Sequence, residues 1–150
     1  MEISKSKNVN NAVFFKGDIN NLPFDNDQFD LVVNLGVLQN FNGDINHAIN
    51  ELCRITKNYL YIVTLDSEFT GYKNGERKKD PINIYYNPDS LKKMVRGCEC
   101  KIVGCQSISV DTVENMTISK NFIKPLHNTN TFFILAEKDT ANHENRNSST

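Results

Sequence analysis

Polar residues end two apolar runs near the start of the chain. Asp18 follows the run at residues 13–16, and Asn34 ends the run at residues 31–34. Ligands of open parallel α/β sheets bind at the carboxyl ends of strands, so both side chains are placed to hold a polar ligand. Gly36 lets the backbone approach a ligand closely, although glycine also simply permits a turn. The pattern predicts a ligand site at one edge of a sheet.

The residues after Asn34 predict a strand, helix, strand unit. Apolar residues recur at three- and four-residue spacing from Ile45, behind Asp44 as a natural N-cap, and Asn58 is a plausible stop. An apolar strand over residues 60–65 follows. Such a unit implies two parallel strands with a right-handed crossover. The continuous apolar runs favour strands that are covered on both faces.

The second half of the chain predicts another helix and two more strands. Asn87 and Pro88 start a helix that Gly97 ends. Strands are expected within residues 100–110 and over residues 131–137. Residues 67–86 are polar and form a predicted loop, and the polar residues 139–150 form a predicted disordered tail.

Composition excludes several classes of protein. Lys plus Arg number 17 against 18 Asp plus Glu, and this net charge of -1 gives no field that attracts nucleic acid or an anionic membrane. No apolar run approaches the roughly 18 residues of a membrane span. The start of the chain does not join a basic segment to an apolar one as a secretory signal does. The expectation is a cytoplasmic protein with no nucleic-acid or membrane partner.

The cysteines and histidines do not have the spacing of a metal site. Cys98, Cys100 and Cys105 lie close in sequence, but zinc normally takes four ligands and no histidine is near them. Cys53 falls on the apolar stripe of the first helix. We predict no metal and reduced, mostly buried thiols.

An ordered series of short motifs resembles the class I S-adenosylmethionine-dependent methyltransferases, of the type 11 small-molecule kind. The motifs are Gly17-Asp18 after a strand, Leu22-Pro23-Phe24, Phe29-Asp30 before a strand, and Glu51-x-x-Arg54. The resemblance implies an α/β, Rossmann-like sheet and S-adenosylmethionine as cofactor. The spacing of Glu51 and Arg54 separately predicts a structural ion pair.

The resemblance also implies roles for five residues. Asp18 would accept a hydrogen bond from the adenine amino group, and the backbone amide of Ile19 would meet a ring nitrogen. The alternative is that Gly17-Asp18 is only a turn after a strand. Asn34, Leu35 and Gly36 would lie under the methionine part of the cofactor.

No catalytic residue is assigned. Gln39 stands where relatives often carry histidine, which weakens any proposal of a strong base. Asp66 and His127 could serve as bases, but surface or loop roles are favoured for both. The methyl acceptor is a small molecule that the sequence does not name.

The resemblance begins partway through the family domain. No Gly-x-Gly occurs, although that loop admits the amino acid end of the cofactor in the family, and the acidic residue that ends the family's second strand is also absent. Glu2 could be proposed for that position, but helix is preferred for residues 1–7. We therefore predict an incomplete domain over residues 1–138, a partial Rossmann-like sheet missing its first two strands.

Four of the predicted strands can still form a contiguous half-sheet. They start near Leu31, Leu60, Thr131 and Cys100, in that spatial order. The strand at residues 13–16 must pair anew, hang free or meet a partner.

These observations predict an N-terminally truncated methyltransferase that needs the missing part for activity. The alternative is a non-catalytic remnant or interaction module that associates through its exposed sheet edge.

Overall fold

A computed structural model describes residues 12–67, 84–108 and 131–139 of the chain. The described part holds four strands and two α-helices. They are β1 (Phe29–Leu35), α1 (Ile45–Ile55), β2 (Thr56–Leu65), α2 (Pro88–Gly97), β3 (Cys100–Ile108) and β4 (Thr131–Lys138), with a short 3-10 helix at Leu38–Asn40.

The four strands form one mixed sheet in the order β1-β2-β4-β3. β1 and β2 are parallel, and α1 connects them, whereas β4 runs antiparallel to both β2 and β3. This order confirms the predicted half-sheet. The α/β, Rossmann-like fold class is likewise confirmed.

The first helix begins as predicted and ends early. The Asp44 carboxylate accepts from the backbone amides of Asn46 and His47, which caps the helix. The helix ends at Ile55 rather than near Asn58, and β2 begins at Thr56 instead of Leu60. The Thr56 backbone is extended while its hydroxyl donates to the carbonyl of Leu52 over 2.7 Å, so no separate turn is needed.

The second helix follows its sequence signals. The Asn87 side chain accepts from the amide of Ser90, and Pro88 is the first helical residue. Leu91 and Val95 are fully buried on one face. The predicted cap, start and end of this helix are therefore confirmed.

The core lies between one face of the sheet and the two helices. Apolar side chains from every element meet there, among them Leu38, Ala48, Ile49, Leu60, Leu91, Val95 and Ala136, which have no exposed surface. The other face of β1 is exposed at Leu31, Val33 and Leu35. The expectation that β1 is covered on both faces is therefore wrong for the described part of the chain.

Residues 13–16 do not form the strand that their apolar run predicts. Val13, Phe14 and Phe15 are exposed, and the backbone there has no strand partner within the described ranges. Phe15 makes one edge-on ring contact with Phe24. A strand needs a neighbour to satisfy its backbone groups, so the predicted strand is wrong for the described part of the chain, while pairing with a partner stays a prediction.

Several predictions lie outside the described residues. They concern the helix at residues 1–7, most of the loop at residues 67–86, His127 and all but the first residue of the tail at residues 139–150. None of the described helices combines the length and apolar character that crossing a membrane requires. The cytoplasmic location stays a prediction.

Candidate functional site

The loop before β1 is fastened along α1 by an ion pair within that helix. The Arg54 guanidinium contacts Glu51 over 2.7 Å, which confirms the predicted pair. Arg54 also donates to the carbonyl oxygens of Leu22 (3.0 Å) and Phe24 (2.7 Å), while Glu51 accepts from the Leu22 amide. The hydrogen bond from Arg54 holds the pKa of Glu51 below its ordinary value. The pair thus positions the loop that carries Asp18.

Asp18 forms a tight polar turn at the start of this loop. One carboxylate oxygen accepts from the amide of Asn20 over 3.0 Å, and the Asp18 carbonyl accepts from Asn21. The Asp18 side chain is exposed. Ile19 is partly buried against the core. This geometry matches the turn alternative and leaves the side chain accessible to a ligand.

Asp18 and Asn34 lie at the same end of the sheet. The carbonyl of Asn20 is 2.8 Å from Nε2 of His47, in the first turn of α1. α1 runs antiparallel to the strands it connects, so its first turn lies at the carboxyl end of β1, where Asn34 stands. The structure therefore places at one end of the sheet the two polar residues that the sequence assigned to one site.

Asn34 is buried with an unused acceptor. The residue is 3% exposed, and its Oδ1 has no hydrogen-bond partner among the described residues. Thr64, two residues beyond the β2 neighbour of Asn34, faces the same side and has a buried hydroxyl without a partner. Buried polar groups are normally paired, so unpaired ones mark a site for a ligand or water. Thr64 is a candidate ligand-binding residue that sequence reasoning missed, because it lies within an apolar run that gives no sign of a buried hydroxyl.

The backbone after Asn34 turns sharply at Gly36. Gly36 has φ of +67°, its amide donates to the Val63 carbonyl over 2.9 Å, and its carbonyl accepts from the Asn40 side chain. The three atoms nearest to a Cβ at this position would all belong to the Gln39 side chain, the first at 3.6 Å. Leu35 is exposed. A glycine is needed here for backbone conformation, and the predicted cofactor contacts at Leu35 and Gly36 stay a prediction.

Asp66 is a buried carboxylate at the carboxyl end of β2. It has no exposed surface and accepts a hydrogen bond from the Ser107 hydroxyl on β3. The surface role favoured from the sequence is therefore wrong for Asp66. The position after an apolar strand was visible in the sequence, but the pairing with Ser107 depends on the order of the sheet.

Comparison with known proteins shows what this chain resembles. The protein family described as Methyltransferase domain matches residues 1–63. A search of the curated proteins gave no match.

Solved structures with the same fold cover most of the chain. A SAM-dependent methyltransferase from Methanosarcina mazei is 17% identical with a TM-score of 0.58, over 81% of this chain and 65% of that one. One from Thermotoga maritima is 21% identical with a TM-score of 0.59, over 83% and 63%. The [4+2]-cyclase SpnF is 15% identical with a TM-score of 0.59, over 81% and 54%.

The resemblance to the class I SAM-dependent methyltransferases is thus confirmed. The chain carries a match to the methyltransferase domain and has the fold of these enzymes. It spans about two thirds or less of the length of the three solved structures above.

Proposed function

We propose that this chain supplies part of the cofactor site of a SAM-dependent methyltransferase that acts on a small molecule. The observation that carries the proposal is the buried Oδ1 of Asn34 at the carboxyl end of β1, which has no partner in the part of the chain that the structure describes. The family match over residues 1–63 supports it, because this stretch includes both Asp18 and Asn34.

Each end of the cofactor has a candidate partner in this chain. The exposed Asp18 carboxylate would accept from the adenine amino group, with the Ile19 amide beside it. Asn34 and the backbone at Leu35 and Gly36 would line the methionine end. Gly36 has no side chain, which permits a ligand to approach its backbone closely. The residues present therefore fit these two parts of the cofactor, the adenine and the methionine end.

Bound S-adenosylmethionine supplies a methyl group on a sulfonium, which is a good leaving group. The protein must then mainly hold the acceptor in line with it, so a strong base is not required. Gln39 helps to shape the proposed site at the carboxyl end of β1, and its backbone carbonyl accepts from the Ile84 amide over 2.7 Å. A cyclase with the same fold shows that the fold alone does not decide the reaction, so the function rests on the site.

The proposed site is incomplete within this sequence. No Gly-x-Gly is present to cradle the amino acid end of the cofactor. β1 forms one edge of the described sheet, and its apolar side chains Leu31, Val33 and Leu35 are exposed. We propose that a strand and glycine-rich turn dock beside β1, from a longer reading frame or another polypeptide, and that methyl transfer requires them.

The test is titration of the isotopically labelled chain with S-adenosylhomocysteine, followed by two-dimensional NMR and calorimetry. We expect weak, millimolar binding that shifts the signals of residues 18–19 and 34–36. Asp18→Asn should weaken it, whereas Asp30→Asn, at an exposed position on β1, should not. Absence of any shift refutes the cofactor site, and micromolar binding refutes the claim that the site is incomplete.

A second candidate function is that of a non-catalytic interaction module. The observation that favours it is the exposed apolar face of β1 at a sheet edge, which is prone to pair with another chain. It predicts oligomers or a stable hetero-complex in size-exclusion chromatography, and no cofactor-induced shifts. Val33→Lys should abolish the association, whereas Val103→Lys, on the opposite edge strand β3, should leave it intact.

A further inference from the structure

Three cysteines from three elements converge at the end of the sheet opposite the proposed cofactor site. Cys53 lies in the last turn of α1, Cys98 follows α2, and Cys100 begins β3. All three are free thiols, and Cys98 is the most accessible of them because Cys53 and Cys100 are buried. The sequence showed the spacing of Cys98 and Cys100 but not the approach of Cys53.

The turn between α2 and β3 brings the thiols together. Glu99, between Cys98 and Cys100, has φ of +59°, a left-handed conformation that reverses the chain sharply. Cys100 Sγ lies 3.6 Å from the carbonyl of Cys98. Cys53 and Cys100 belong to the buried core cluster, Cys98 packs against it, and Cys53 and Cys98 line the same cavity.

The environment distinguishes an attacking thiol from a buried one. Hydrogen bonding from Cys53 lowers the pKa of Cys98, and the positive charge of Lys138 adds to this effect while burial opposes it. In its protonated form Cys98 instead donates to Asn50 Oδ1 over 2.9 Å. Hydrogen bonding with Cys100 and Cys98, together with burial, raises the pKa of Cys53. Cys98 is therefore the better nucleophile.

A solvent-accessible cavity leads to this pair. Its volume is about 310 Å³, and Cys53, Cys98 and Lys138 are among its lining residues. The Lys138 ammonium donates to the carbonyl of Cys53 over 3.1 Å. Among the described residues no His, Cys, Asp or Glu group of three is arranged to hold a metal ion.

We propose that Cys98 and Cys53 form a thiol–disulfide exchange site that reacts with low-molecular-weight disulfides such as glutathione disulfide. The Cys98 thiolate attacks one sulfur of the reagent, forms a mixed disulfide and releases one glutathione thiolate. Cys53 loses its proton and attacks Cys98 Sγ, which releases the second glutathione thiolate. Two cysteine thiols are oxidised to one disulfide, and one glutathione disulfide is reduced to two glutathiones. The protons lost by the two cysteine thiols are taken up by the two glutathione thiolates.

The experiment uses the full chain with Cys105→Ser, so that the exposed thiol on β3 does not react. The reduced protein is incubated with glutathione disulfide and analysed by intact mass and peptide mapping. We expect a product that has lost two hydrogens, carries no glutathione and contains a Cys53–Cys98 bridge. The peptide map of this protein identifies which two cysteines form the disulfide, and this measurement needs no substitution in the core.

Two variants test the order of the steps. In Cys53→Ala the reaction should stop at one glutathione on Cys98. In Cys98→Ser the reaction should slow at least tenfold and give no bridge. A bridge that joins Cys100 to either partner, a stable glutathione adduct while Cys53 is present, or no reaction at Cys98 would each overturn the proposal.

Discussion

The Arg54 guanidinium contacts the Glu51 carboxylate over 2.7 Å and, with its remaining donors, holds the carbonyl oxygens of Leu22 and Phe24. A pair within one helix turn therefore fastens a loop some 30 residues earlier in the chain. This loop carries Asp18, so the geometry of the proposed adenine contact depends on Arg54. The carboxylate and guanidinium are both partly buried, which strengthens the pair relative to an exposed one.

Replacing Arg54 should destabilise the protein. Arg54→Met removes the donors to two backbone carbonyls and to Glu51, and we expect a loss of about 2 kcal/mol in the free energy of unfolding. Lys92→Met is the matched control, because Lys92 also pairs three residues away but with an exposed partner, Asp89. Its cost should be below about 0.5 kcal/mol. Urea unfolding measures both, and equal losses would contradict the role of Arg54.

The same pair makes stability depend on pH. The pKa of Glu51 is lowered from 4.5 in the folded protein, chiefly by the hydrogen bond from Arg54. Its stabilising contribution is therefore complete above pH 4.5 and is lost as the pH falls through the lowered pKa. The urea midpoint should fall less steeply in Glu51→Gln than in the unchanged chain between about pH 5 and about pH 2. Parallel curves would show that Glu51 is not the group responsible.

Replacing Lys138 should destabilise the protein more than replacing an exposed lysine. Its buried ammonium pairs with Asp27 and donates to the carbonyl oxygens of Cys53 and Thr56, at the end of α1. Lys138→Met should cost about 3 kcal/mol, because it leaves these acceptors without their shared donor. Lys57→Met, which breaks an exposed pair with Asp30, should cost below about 0.5 kcal/mol. Thermal unfolding compares the two variants directly, and similar melting temperatures would contradict the prediction.

The Ser107 hydroxyl should stabilise the buried Asp66. Ser107→Ala removes a donor to a carboxylate that has no exposed surface, and we expect a loss of about 2 kcal/mol. Ser107→Thr keeps the hydroxyl and should recover most of this loss. Chemical denaturation of the three proteins checks the order. A loss in Ser107→Thr as large as in Ser107→Ala would contradict the hydrogen bond as the cause.

Asn34 should show a trade-off between stability and binding. Because its Oδ1 has no partner, Asn34→Leu should leave the free energy of unfolding unchanged or raise it by about 1 kcal/mol. The same change should weaken S-adenosylhomocysteine binding at least tenfold. Denaturation and NMR titration measure the two effects separately. A clear loss of stability with unchanged binding would assign Asn34 a purely structural role.

Gly36 should tolerate a side chain poorly because of its backbone. Gly36→Ala places a Cβ at φ of +67° and should cost about 1 kcal/mol, although its contact with Gln39 at 3.6 Å is an ordinary one. Gly97→Ala, near the end of α2 and without neighbours within 4 Å, should be neutral or stabilising by about 0.5 kcal/mol. Melting temperatures distinguish them, and a neutral Gly36→Ala would show that the turn relaxes.

Local signals in the sequence determined much of the fold. Asp44 and Asn87 cap their helices as predicted, because an N-cap hydrogen bond joins residues two or three positions apart. The Glu51 and Arg54 pair followed from helix spacing in the same way. The half-sheet order came from the motif resemblance, and the structure confirms it.

The tertiary structure alone decided which groups are buried, paired or brought together. The apolar run at residues 13–16 is not a strand in the described part of the chain, because a strand forms only where a neighbour satisfies its backbone, and the pairing of Asp66 with Ser107 depends on a strand some 40 residues later. The convergence of Cys53 with Cys98 likewise depends on how α1 and α2 pack. The sequence thus determined the elements and the ancestry of the proposed site, whereas long-range packing decided the surroundings of each side chain in it.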